Sequence, residues 1–321
     1  MLRFALRQQL VQTGSAVASE KTAIKVEGKR MELSNLTKVF YPKFGFTKGQ
    51  VIDYFVRAAP VLLPHLQQRP ISLKRYPDGV EGQYFFEKQC PSHRPKWMST
   101  YRVESHREQG YIDYCLINDL PSLVWAANLA DLELHTFLHR APKIMQPDFL
   151  AFDLDPGPPA DIITCCAVAL RLKAFFDQIG LESFPKTSGS KGIQVYVPLN
   201  TKVSYDQTKA FAHAIAQEFE AQLPDLVVSK MQKNLRTGKV LVDWSQNDDH
   251  KTTICVYSLR ARERPTVSTP VTWQEIADAK ESGKPEDLSF ESDAVLQRIE
   301  RMGDLFEPVL KLKQKLPPLK V

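Results

Sequence analysis

The segment Phe149-Leu-Ala-Phe-Asp-Leu-Asp-Pro-Gly157 constrains what this 321-residue chain can fold into more tightly than any other. Its apolar, aromatic character reads as a strand, and Pro156-Gly157 reads as the turn that stops it. Side chains alternate along a strand, so Leu150, Phe152 and Leu154 share one face, while Asp153 and Asp155 project together from the other. The first face requires apolar cover. The second must hold two neighbouring carboxylates, which repel and raise each other's pKa unless a cation lies between them. A divalent ion with hard oxygen ligands meets that need, and Mg²⁺ or Mn²⁺ suits it better than zinc. Taken alone, the pattern equally suits a strand end whose acids face water.

Further β-rich runs cover Ile71 to Arg75, Ile193 to Leu199, Val240 to Trp244 and Thr252 to Leu259. Helix signals lie between them. Thr47-Lys-Gly-Gln50 is a capping box ahead of Val51, Ile52, Phe55 and Val56, and Ser204 with Gln207 opens a helix through Phe211, Ile215 and Phe219. A third periodic segment runs from Ile162 to Ile179 and stops at Gly180. The mixture is α+β or α/β. No long linker or repeat divides it, so residues 28–310 read as one catalytic domain, between a flexible N-terminal extension (1–27) and a basic C-terminal tail (311–321). The first 23 residues are basic like a transit peptide, but Arg7, Gln8 and Gln9 break the apolar stretch a secretory signal needs. No apolar run approaches the roughly 18 residues of a membrane-spanning helix.

Five scattered cysteines, Cys90, Cys115, Cys165, Cys166 and Cys255, form no C-x-x-C pair. Reduced thiols in a cytosol are the expectation, and Cys90-Pro-Ser-His93 lacks the second ligand pair of a zinc site.

Lys239-Val-Leu-Val-Asp-Trp244 ends in an acid as the first strand does. If the two strands are neighbours, Asp243 joins Asp153 and Asp155 in the kind of cluster that holds two metals about 4 Å apart for phosphoryl transfer. Lys186-Thr-Ser-Gly-Ser-Lys-Gly192 leads into the strand from Ile193. Its glycines let the backbone approach an anion, Ser188 and Ser190 carry hydroxyls, and Lys191 adds a point charge. The order is not that of a Walker loop, and an ordinary hairpin loop reads similarly. Lys230, Lys233 and Arg236 precede Asp243, and Lys251, Arg260, Arg262 and Arg264 follow it. Beside three acids and a phosphate-type loop, these cations describe a nucleoside-triphosphate site.

The net charge of +5, from 42 Lys+Arg against 37 Asp+Glu, is too small to specify a nucleic-acid partner; placement matters more. Lys74-Arg75-Tyr-Pro-Asp-Gly79 precedes Tyr84-Phe85-Phe86-Glu-Lys88, bases interleaved with rings as a nucleic-acid surface uses them. Phe85 and Phe86 would face opposite ways in a strand, so one at most is expected to be free for stacking.

The segments LTKVFYPKFGFTKGQVIDYF, PISLKRYPDGVEGQYFFEK, LADLELHTF, FDLDPG, TSGSKGIQVYVPL and VLVDWSQNDDHKTTICVYSLRARERPTVSTPVTW resemble, in that order, the polymerase domain of bacterial DNA ligase D, a member of the archaeo-eukaryotic primase superfamily. The resemblance covers about residues 30 to 300. It implies an α+β primase-type core with mixed and antiparallel sheets flanked by helices. It further implies that Asp153, Asp155 and Asp243 hold two divalent metals, often Mn²⁺. His135, Ser188, Lys191, Gly192, Lys251 and Arg260, with Arg236 nearby, would hold the triphosphate of an NTP or dNTP. Lys38 and Lys48 would grip the 5′-phosphate of gapped or broken DNA, with Asn35, Lys74 and Arg75 adjacent and Phe85 and Phe86 stacking on template bases. Ribonucleotides and short gaps in excision repair or end joining are the implied substrates. A separate ATP-dependent ligase and a Ku-type end-binding protein are the implied partners of a cytoplasmic, nucleoid-associated monomer.

Two departures stand out. The family loop commonly ends S-G-S-K-G-x-H, whereas this chain has Gln194, an amide that can hydrogen-bond a phosphate but cannot carry charge or move a proton. No K-x-D-G adenylation motif of a ligase is present, which reads as a stand-alone primase-polymerase. The alternatives are a non-catalytic module that binds DNA ends or gaps and, further off, a metal-dependent phosphoesterase.

Overall fold

Capping chemistry sets the helix starts. The computed structural model describes residues 21–105 and 110–318, and the two Thr/Ser-x-x-Gln boxes expected from sequence open helices where they stand. In chain order, a hairpin of β1 (Lys21–Val26) and β2 (Lys29–Ser34) precedes a ribbon of β3 (Val39–Tyr41) and β4 (Phe46–Thr47). The ribbon leads into α1 (Lys48–Leu66), capped by Thr47 and Gln50. Then come β5 (Pro70–Arg75), β6 (Phe85–Glu87), β7 (Thr100–Ser105), β8 (Gly110–Leu116), α2 (Leu120–Asn128) and β9 (Asp131–Thr136). The second half contains β10 (Phe149–Pro156), α3 (Ile162–Gln178), β11 (Phe184–Thr187), β12 (Ile193–Pro198) and α4 (Tyr205–Gln222). It continues through β13 (Val227–Val228), β14 (Val240–Asp243), β15 (Thr253–Ile254), α5 (Trp273–Ser282), α6 (Ser292–Met302) and α7 (Glu307–Lys311).

Two sheets organise these elements into an α+β fold. One has the order β11-β12-β10-β14-β13, antiparallel except for β13 with β14. The other runs β15-β9-β5-β8-β7, with β6 also on β5. Leu150, Phe152, Leu154, Val195, Val240 and Val242 cover one face of the first sheet and pack with Val168, Leu172 and Phe176 of α3 and Phe211, Ile215 and Phe219 of α4. The opposite face of β10 changes character along its length. Phe149 and Ala151 join the core of α1 and the second sheet, whereas Asp153 and Asp155 follow in the same alternation. The acids therefore sit where one apolar layer ends.

The structure corrects several sequence expectations. The segment read as an extension through residue 27 is a paired strand from Lys21, because Val26 and Leu33 bury completely against the main core; residues 1–20 lie outside the described part. The basic tail is also anchored: Gln314 donates from its backbone to the Leu199 carbonyl at 2.9 Å and from its amide to the Pro198 carbonyl at 2.8 Å, and Leu316 packs on the second core. Only Thr253–Ile254 of the run 252–259 is strand, since Tyr257 adopts a left-handed φ of 62° that breaks the pairing. Cys90 and Cys115 are not reduced thiols but a disulfide. The Cys90 N–H bonds to the Asp113 carbonyl, which brings the loop before β7 against β8 and the two Cα atoms to 5.0 Å despite a sequence separation of 25. Cys165, Cys166 and Cys255 are free, as expected, and all three are buried.

Candidate active site

Strand register assembles the acids. Asp153 of β10 stands directly opposite Asp243 of β14, and Asp155 lies two residues further along the same face. Asp243 is buried and held by its neighbours: Ser245 donates to Oδ1 from N–H at 2.8 Å and from its hydroxyl at 2.6 Å, and the Gln246 amide donates to Oδ2 at 3.1 Å. Lys251 reaches the same Ser245 hydroxyl. Burial, then the charges of Asp155 and Asp243, push the Asp153 carboxyl up to about 7 against the smaller pull of Gln194 and Lys186. Asp155, open to water at the rim, is also raised, by the protein crowding it and by Asp243, while Arg236, Arg260 and Lys191 pull the other way. Asp153 Oδ1 is buried without a hydrogen-bond partner among the described residues. Three converging carboxylates with an orphaned buried oxygen are a hard-ligand set that fits divalent cations. Elsewhere, Asp248, Asp249 and His250 bring ligand atoms within 4.8 Å of one another, a closeness not found among the three acids of β10 and β14, but Asp248 is already paired with Lys209 at 2.5 Å.

The loop between β11 and β12 lies on this cluster. The Ser188 hydroxyl accepts from the N–H groups of Ser190 at 3.3 Å and Gly192 at 3.2 Å, closing a compact turn with Lys191 exposed. A side chain at Gly192 would put Cβ 2.1 Å from the Leu154 carbonyl oxygen, so glycine here lets the loop lie against β10 between its two acids. Gly157 does the same for the loop carrying Arg236, whose carbonyl oxygen would be 1.9 Å from a Cβ at 157. Arg236 donates to the Met231 carbonyl at 2.6 Å, and its buried Nε has no partner among the described residues. Gln194 stands opposite Asp153 in β12, buried, with its amide donating to Thr253 at 3.1 Å and its carbonyl accepting from Tyr196 at 3.4 Å. Both ends of this amide are engaged inside the protein, away from the exposed face of the loop.

Beyond the loop, Arg260 donates from Nη1 to the Ser188 carbonyl at 2.5 Å and from Nε to Glu133 at 3.2 Å. Glu133 also takes His135 and Lys74. Burial lowers the His135 pKa more than Glu133 raises it, and its ring meets Phe86 edge-on at 5.6 Å. Phe85 and Phe86 are both exposed, at 45 % and 46 %, rather than one free and one in the core. β6 is a three-residue strand at the edge of β5, and the described residues bury neither ring. Lys74 lies over the rings of Tyr76 and Tyr84, at 5.4 and 4.7 Å from their centroids.

Arg75 forms a two-toothed pair with Glu87 at 2.9 and 3.0 Å. Lys48 is buried at the start of α1 and donates to Ser34, its carbonyl at 2.7 Å. Burial, then the charges of Lys38 and Arg75, lower Lys48 to about 8, so these three cations share one patch. Lys38 pairs with Asp78 at 2.7 Å, and Asn35, in a left-handed conformation, closes the turn by accepting from Lys38 N–H.

Sequence reasoning missed four residues tied into this site: Glu133, Ser245, Gln246 and Lys186. Lys186 is fully buried opposite Gln194, donates to the Ile254 carbonyl and the Ser268 hydroxyl, and is lowered to about 7 chiefly by burial. The signal for it was its position in β11 immediately before the loop; Glu133 had none, since it reads as one polar residue in an apolar strand.

A sequence model of the LigD primase-polymerase domain matches residues 47–306. The multifunctional non-homologous end joining protein LigD of Mycolicibacterium smegmatis is 41 % identical over 283 residues, covering 88 % of this chain and 36 % of that protein. The bifunctional LigD of Bacillus subtilis is 30 % identical over 275 residues, covering 85 % and 43 %. The chain thus spans less than half of the length of these relatives. Among solved structures, the polymerase domain of Mycobacterium tuberculosis ligase D in complex with DNA superposes with a TM-score of 0.81 at 40 % identity, covering 88 % of this chain and 98 % of that one.

Proposed function

The chain belongs to the LigD primase-polymerase family, whose members are nucleotidyltransferases, and from that membership we propose that it extends a DNA primer on a template across short gaps during break or excision repair. The observation that carries this reading is the cross-strand pairing of Asp153 with Asp243, with Asp155 alongside and a phosphate-type loop seated on the same strand. Asp153, Asp155 and Asp243 would hold two divalent cations, Mn²⁺ or Mg²⁺. Such ions, when bound, activate the attacking 3′-hydroxyl and offset charge on the departing pyrophosphate.

The remaining work falls to the chain's own side chains. Lys191, Lys251, Arg260 and Arg236, with His135, the Ser188 hydroxyl and the Gly192 backbone, bind and orient the triphosphate. Lys38, Lys48 and Arg75, with Asn35 and Lys74 beside them, take the 5′-phosphate beyond the gap, and Phe85 and Phe86 stack on template bases. Gln194 serves the acid cluster from within rather than the phosphate directly, since its amide is engaged with Thr253 and Tyr196. Ribonucleotides as preferred substrates, and a Ku-type protein and an ATP-dependent ligase as partners, follow from the family reading.

The test is extension of a primer bordering a gap of one to three nucleotides, with and without a downstream 5′-phosphate, with NTP or dNTP and Mn²⁺. Template-directed addition, faster with the phosphate, is expected. Gap binding with no addition would instead favour a scaffold, a reading to which Gln194 at the usual histidine position lends some support.

A further inference from the structure

Glu133 lies between the acid cluster and the DNA-facing patch and belongs to neither. It is 2 % exposed and uses both oxygens twice. Oε1 accepts from Arg260 Nε at 3.2 Å and from the Ala261 N–H at 3.0 Å; Oε2 accepts from Lys74 Nζ at 3.0 Å and from His135 Nε2 at 3.1 Å. The four donors come from three segments: β5, β9 itself and the loop after β15. Burial works to raise this carboxyl, yet the His135 hydrogen bond and the charges of Arg260, His135 and Lys74 hold it far below the ordinary carboxylate range.

We propose that Glu133 is a positioning residue that fixes Arg260 and His135 against the phosphate loop for the incoming nucleotide, while tying them to Lys74 on the DNA side. The inference rests on the polymerase reading above. The Arg260 geometry carries it. Its backbone carbonyl is pinned by the Tyr41 hydroxyl at 2.9 Å, its Nε by Glu133 and its Nη1 by the Ser188 carbonyl, so the guanidinium bridges β9 to the loop along one fixed direction. Without Glu133, Lys74 and Arg260 lose the carboxylate they share, and the guanidinium fork loses the contact that orients it.

A carboxylate that merely neutralised these cations would act with the opposite sign. Removing a negative charge beside a triphosphate site strengthens its attraction for a polyanion, so a purely electrostatic role predicts tighter nucleotide binding, whereas a positioning role predicts weaker.

The test uses the full chain on a gapped, 5′-phosphorylated duplex with Mn²⁺. In Glu133→Gln we expect KM for the incoming nucleotide to rise at least fivefold, with kcat at saturating nucleotide within about threefold of the parent. Affinity for a labelled non-hydrolysable nucleoside triphosphate should fall in step. In an Arg260→Ala background the same change should add less than twofold, because the two act as one unit. Glu133→Asp, which keeps the buried charge but shortens its reach, should reproduce the KM rise. A folded Glu133→Gln protein with unchanged or lower KM overturns the proposal, as do losses that add in the double variant. Collapse of the melting transition in both the Gln and Asp variants would make Glu133 a purely structural carboxylate and also overturn it. Failure of the parent itself to extend would count against the polymerase reading instead, and the nucleotide-binding comparison still decides on Glu133.

Discussion

The two halves of the proposed site, one assigned to the nucleotide and one to DNA, are built by different means. On the nucleotide side, backbone sets the geometry: strand register puts Asp153 opposite Asp243, and Gly192 and Gly157 bring two loops into contact with the end of β10. On the DNA side, long side chains set it, and most already have partners: Lys38 with Asp78, Arg75 with Glu87, Lys74 with Glu133, Lys48 with Ser34. A backbone-built site is preorganised and tolerates little change. A side-chain-built site must exchange internal partners for a phosphate and so trades affinity for adaptability. Chemistry demands the first kind, while gaps and ends of varying shape suit the second.

The largest effect should come from removing the acids. Asp153→Ala with Asp155→Ala is expected to reduce extension by on the order of 10³-fold or more. The same variant should keep gapped-DNA affinity within about threefold and should not lower the melting temperature, because it relieves repulsion among crowded carboxylates. Residual extension near the parent rate in gel assays would dissolve the contrast between the two sides.

Gly192→Ala sharpens the comparison from the backbone. Its Cβ would meet the Leu154 carbonyl oxygen at 2.1 Å, so the loop must lift from β10. A loss of ~1–3 kcal/mol in stability is expected from the forced contact, with KM for nucleotide rising on the order of tenfold as the loop shifts. DNA affinity, measured by anisotropy, should be unchanged. An equal loss on both sides would mean the loop does not act separately.

The same difference explains what the sequence could tell. Features fixed within a few residues were legible: the alternation in 149–157, the capping boxes at Thr47 and Ser204, the glycine-rich loop. Features made by distant pairing were not. Glu133 and Arg260 meet across 127 positions, Cys90 and Cys115 across 25, and no local pattern marks either pair. Phe85 and Phe86 defeated the alternation rule because that rule assumes a buried face, which the described residues do not give the short edge strand β6. The resemblance to the ligase D polymerase domain supplied candidates for the DNA side that residue patterns alone did not.

The smallest predicted effect is a pH dependence confined to the side-chain-built half. Lys48 is lowered from its ordinary value to about 8, first by burial and then by Lys38 and Arg75. Because the folded state releases this proton earlier than the unfolded chain, stability from this group rises with pH between about 8 and the unfolded value near 10.4, and is at its least favourable below 8. Function runs the opposite way. The ammonium that would pair with a 5′-phosphate is mostly charged at pH 7 and mostly neutral by pH 8.5, so the ratio of affinities for gaps with and without that phosphate should fall about fourfold over this interval. Lys48→Ala should start from a lower ratio and lose the slope, while KM for nucleotide keeps its parental pH profile. If the alanine variant retains the same decline, the titrating group lies elsewhere, and the DNA-side patch does not depend on Lys48.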